Sequence, residues 1–80
     1  MRPITVFNLT TGVNHAICLD ADSALESATR MTKDLKPADR DECLDKVKAW
    51  LSVHREVGAS TSISCGTFVL QIDKRIREGQ

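Results

Sequence analysis

The chain has 80 residues, 41% of them apolar and 28% charged, with eleven basic side chains balanced by eleven acidic ones. That composition describes a folded domain rather than a disordered or fibrous chain, and at this length only about 60% of the unfolded surface is buried, so the core is thin. Neutrality argues against a dedicated nucleic-acid-binding module, which draws on an excess of Lys and Arg, and equally against an all-acidic DNA mimic.

The first predicted element is "PITVFNL", β-branched and aromatic, followed by the turn residues "TTGVN" and a second apolar run, "HAICL". This reads as a β-hairpin or a tight strand–loop–strand, with Pro3 at a strand start or edge. "DADSALESATRMTKDL" then carries helix-start chemistry. Ser23 with Glu26 three residues on forms a capping box, and Asp20 and Asp22 complement the positive end of the helix, so a start near Ser23 is expected. Ala24, Leu25, Ala28, Met31, Thr32 and Leu35 fall on one side of it, and Glu26, Arg30 and Lys33 on the other. Lys36 is driven out of helical conformation by Pro37, which itself suits a first helical turn, so a second helix should follow the first.

That second helix, expected from Pro37 to about Val57 and stopped by Gly58, places Cys43, Leu44, Val47, Trp50, Leu51 and His54 on one stripe. Asp41, Asp45, Lys48, Ser52 and Glu56 lie opposite. The run "TSISCGTFVLQIDKRI" is strand-like, but its apolar phase slips at Gly66: Ile63 and Cys65 are odd, Phe68, Leu70 and Ile72 even. A β-bulge produces such a slip, and a hairpin with an extra strand after Gly66 is the alternative. The expected fold class is therefore α+β: one domain over 1–80, with a small antiparallel sheet in the order β-β-α-α-β and two helices packed on one face. Phe7, Leu25, Ala28, Leu44, Val47, Trp50, Leu51, Phe68, Leu70 and Ile72 are the expected core.

No apolar run approaches the ~20 residues that cross a bilayer, and "MRPITVF" lacks the apolar stretch of a signal peptide, so a cytoplasmic protein without membrane contact is expected. Three widely spaced cysteines, Cys18, Cys43 and Cys65, fit buried reduced thiols better than a secreted disulfide framework. Cys43 and His54 are about 16 Å apart along a helix axis and cannot share a proton or a metal. His15 and Cys18 point to opposite faces of a strand. Without CxxC or HExxH spacing, neither a metal nor another cofactor is expected.

Cys43 lies near a helix start, but Asp39, Asp41, Glu42 and Asp45 surround it with negative charge that opposes a thiolate. Cys65, before Gly66, reads first as a small apolar strand residue and second as a bulge or turn thiol with more exposure, and thiol-dependent activity through it is one alternative function. The acids at the start of the second helix are solvated, so no acid–base catalyst is expected among them. Lys74, Arg75 and Arg77 read as a basic patch that ends a strand in a solvated tail. No catalytic constellation emerges, and an enzyme is not expected.

Charge is uneven along the chain. Residues 20–45 hold eight acids and four bases, a net of −4, whereas from Lys46 onward six bases face three acids, a net of +3. Asp39, Asp41, Glu42 and Asp45 therefore form a candidate partner-binding patch, suited to a basic groove meant for phosphate. The segment "HAICLDADSALESATRMT", a strand running into a cap and an alanine-spaced amphipathic helix, resembles a segment common among very small phage and mobile-element proteins, including anti-CRISPR inhibitors. That resemblance implies a non-enzymatic inhibitor that docks on a larger protein or nucleoprotein complex and blocks nucleic-acid entry or a conformational step. It carries over no individual residue. The alternative class is a homo-oligomeric structural or regulatory module, with strand edges and an apolar stripe meeting in a homodimer.

Overall fold

The computed structural model describes residues 4–53 and 56–77. Their elements run β1 (Ile4–Thr10), β2 (His15–Cys18), α1 (Ala21–Met31), α2 (Pro37–Val53), β3 (Ser60–Cys65) and β4 (Phe68–Arg77). All pairings are antiparallel, in the spatial order β2-β1-β4-β3, so the α+β architecture is that of two β-hairpins laid side by side with a helical hairpin between them in sequence. The helical pair carries the chain from one edge of the sheet, β2, to the other, β3.

The phase slip at Gly66 is a hairpin and not a bulge. Cys65 pairs with Phe68, Ile63 with Leu70 and Thr61 with Ile72, so a two-residue Gly66–Thr67 loop places odd positions opposite even ones. Gly66 adopts φ 67°, the left-handed conformation that a glycine-first hairpin turn uses. A Cβ there would also lie 3.2 Å from Asp39 Oδ2 and 3.2 Å from Leu35 Cδ2, so the turn is seated against the start of α2.

Period-two alternation assigns the faces. Phe7, Leu9, Cys18, Ile63, Cys65, Leu70 and Ile72 point toward the helices and join one cluster with Ala24, Ala28, Cys43, Val47, Trp50 and Leu51. Leu25, Leu44 and Phe68 are partly buried against this cluster rather than inside it. Phe7 and Trp50 meet edge to face, with ring centroids 6.4 Å apart, and join the centre of the sheet to α2. Val6 is also buried, at 2% exposure, but projects from the opposite face, where its cross-strand partner is Arg75.

Two boundaries differ from the sequence expectation. Helix α1 begins at Ala21, and its cap is Asp20, whose Oδ1 accepts the Ser23 N–H at 2.7 Å. Asp20, three residues upstream of Ser23, caps as well as serine does and lets Ala24 make the first helical bond, its N–H to the Asp20 carbonyl at 3.0 Å. Thr32 closes the helix, and its buried hydroxyl donates back to the Ala28 carbonyl at 2.9 Å. Among the described residues helix α2 runs Pro37–Val53 and does not reach Val57: the chain is bent at Glu56 and turns through Gly58, which takes φ 95°. Lys74, Arg75 and Arg77 are the last positions of β4, the strand end at which the sequence places them.

Candidate functional site

Two of the three cysteines come together. Cys43, in the second turn of α2, and Cys65, at the end of β3, have Cα atoms 5.3 Å apart and form a disulfide. The expectation of three reduced thiols is corrected for this pair; both residues are at 0% exposure, which fits Cys65 as a small apolar strand residue and not as an exposed turn thiol, and a bonded sulfur is no nucleophile. Spacing along the chain concealed the pair, because their separation of 22 residues includes the reversal from α2 into β3. Cys18 remains a thiol, buried, with its Sγ 3.3 Å from Ser27 Oγ.

His15 is exposed while Cys18 is buried, as opposite strand faces require. His54 lies outside the described residues. Among the described residues, no three His, Cys, Asp or Glu side chains converge as a metal site would need. Hydrogen bonds from Ser23, first from its backbone and then from its side chain, hold the pKa of Asp20 below the ordinary value. Its role is to cap α1.

The four acids proposed as a patch divide. Asp41 and Glu42 are exposed, with side chains at 71% and 68%, and Asp45 is exposed beside them on the surface of α2 turned from the sheet. Asp39 belongs elsewhere. At about 100° per residue it sits roughly 160° around the helix from Asp41, half-buried against Gly66. Local cations offset part of the remaining charge: Arg40 Nε is 3.7 Å from Asp41 Oδ1, and Lys46 Nζ is 3.2 Å from Glu42 Oε1.

Two further surfaces were not singled out by sequence. The face of the sheet away from the helices carries a polar chain in which Asn8 Nδ2 donates to Asp73 Oδ1 at 3.0 Å and Arg75 Nε meets Asp73 Oδ2 at 3.3 Å. An open groove of about 520 Å³ runs between α2 and β3, lined by Lys46, Ala49, Trp50, Val53 and the strand from Thr61 to Ser64. The signal for it was available: Ala49 and Val53 are four apart on α2, apolar and outside the predicted core stripe.

No family model matches the chain, and neither a curated protein nor a solved structure is similar to it. Among the described residues, no helix is long and apolar enough to cross a membrane.

Proposed function

We propose that this protein is a non-enzymatic interaction module, a small inhibitor of the anti-CRISPR kind. It docks on a larger protein or nucleoprotein complex and blocks nucleic-acid access or a conformational step, without touching nucleic acid itself. The observation that carries this reading is the stripe of Asp41, Glu42 and Asp45 on the outer surface of α2. These carboxylates contribute nothing to the core and stand on a rigid helix held from beneath by Cys43, Val47, Trp50 and Leu51. A basic groove shaped for phosphate is the complementary surface.

Such a contact is steered by charge and screened over about 8 Å at physiological salt, so raised salt should weaken it. Reversing Asp41 and Asp45 to Lys together should abolish partner retention while leaving the circular dichroism spectrum and melting temperature near those of the parent. Equal retention by parent and variant would remove the acidic stripe from the mechanism.

A homo-oligomeric module is a second reading, favoured by the uncharged outer edge of β3. The proposed setting is cytoplasmic, where the Cys43–Cys65 disulfide would be held open as two buried thiols. Alkylation under denaturing conditions of acid-quenched protein taken directly from cells should then modify both. A pair already closed in the cell would contradict that setting.

A further inference from the structure

We propose that β3 is a self-pairing edge, through which two copies of this chain join into one continuous eight-stranded sheet about a two-fold axis at Ser62. The inference concerns a surface other than the acidic stripe and does not depend on it.

The register between β3 and β4 fixes which backbone groups face outward. Ala59 accepts the Lys74 N–H at 2.9 Å, and the pairs Thr61–Ile72, Ile63–Leu70 and Cys65–Phe68 continue that phase as the hydrogen-bonded pairs of the hairpin. The N–H and C=O groups of Ser60, Ser62 and Ser64 consequently point away from β4, and among the described residues β3 has no second neighbour in the sheet.

Natural edge strands are protected by brevity, charge, proline or a bulge within the strand. The opposite edge, β2, is only four residues long. Strand β3 has six residues, and its sequence STSISC contains no charge and no proline.

The occupant is read from the order of those residues. Laid antiparallel on itself and centred on Ser62, the strand sets Ser60 opposite Ser64, Thr61 opposite Ile63 and Ser62 opposite its own copy. Small hydroxyls meet small hydroxyls on the open face, and β-branched side chains meet β-branched side chains on the helix face, which is the self-complementarity a two-fold interface requires. All three outward residues fall in hydrogen-bonding positions of this register, giving about six new main-chain hydrogen bonds.

The groove beside the edge fits the same arrangement. A two-fold axis normal to the sheet leaves both copies of α2 on the same face, opposed across the seam. Val53, 68% exposed in the single chain, and the neighbouring Ala49 are then covered by their counterparts.

Sedimentation of the purified full chain across the micromolar range tests the proposal. The expected result is a mass rising to twice that of the chain. Ser62→Pro removes an outward N–H and no bond to β4, so it should hold the protein at the monomer mass with an unchanged circular dichroism spectrum. Ser62→Cys supplies a readout that survives if the proline variant fails to fold: under mild oxidation it should give a covalent dimer. Ser60→Cys and Ser64→Cys should cross-link with each other when mixed and not when alone. A parent chain that stays monomeric throughout, or a Ser62→Cys protein that does not cross-link, would overturn the proposal. Asp41→Lys with Asp45→Lys should leave the dimer mass unchanged, which separates this surface from the acidic stripe.

Discussion

At the scale of single residues, Cys43, Cys65 and Asp20 are committed to structure. Cys43 and Cys65 close a loop across α2 and the β3 edge, and a cross-link over 22 residues contributes about 3 kcal/mol by limiting the unfolded chain. Replacing both with Ala should lower the unfolding free energy by roughly that amount, measured by urea titration under non-reducing conditions; an unchanged midpoint would contradict it. Asp20 makes a pH-dependent contribution whose sign follows from its lowered pKa. The folded state favours its charged form, so stability is present above the ordinary value of 3.8 and is lost as pH falls through the lower folded value. Asn at this position still accepts a hydrogen bond but cannot titrate. The difference in melting temperature between parent and Asp20→Asn should therefore shrink as pH falls below that range, and a constant difference would exclude the effect. The sequence exposed the cap chemistry but not which member of "DADS" uses it, because Asp20 and Ser23 are comparable acceptors.

At the scale of elements, the hairpin from β3 to β4 shows where local pattern ends. An odd-to-even slip arises both from one extra residue in a continuous strand and from a two-residue turn, so parity alone does not distinguish them. Length does: the combined run from Ser60 to Arg77 exceeds an ordinary strand of about 3–10 residues, and Gly-Thr is a glycine-first turn pair. Gly66 is consequently the most sensitive glycine. Ala there should cost about 1–2 kcal/mol from the left-handed backbone, and the 3.2 Å approaches to Asp39 and Leu35 add to it. Gly12→Ala, at a position with open space, is the control that should change little; equal effects of the two substitutions would refute this account of the turn. Both helices were legible because their apolar spacing, caps and the Lys36–Pro37 break agree with one another. The shorter end of α2 was not, since Glu56 and Val57 continue the helical pattern on paper until Gly58 reverses the chain.

At the scale of the whole molecule, a thin core supports broad surfaces. Leu70 and Ile72, on a central strand, are at 0% and 1% exposure, and Leu70→Ala should cost about 2–5 kcal/mol, a large share of the stability of so small a domain. Sequence pattern identified the apolar sides of the helices and strands, but not that Cys43 and Cys65 meet, that Asp39 turns away from the other acids, or that β3 lies at an edge. Each of these depends on which strands become neighbours, and the order β2-β1-β4-β3 is set by long-range pairing of the first strand with the last. The proposed function rests on a contact surface, the acidic stripe of α2. Quantitative capture of partners from lysate, comparing the parent with Asp41→Lys/Asp45→Lys at low and high salt, tests this most directly. The account predicts proteins retained by the parent at low salt, diminished at high salt and lost from the variant. The same proteins retained equally by both chains, at either salt, would contradict it.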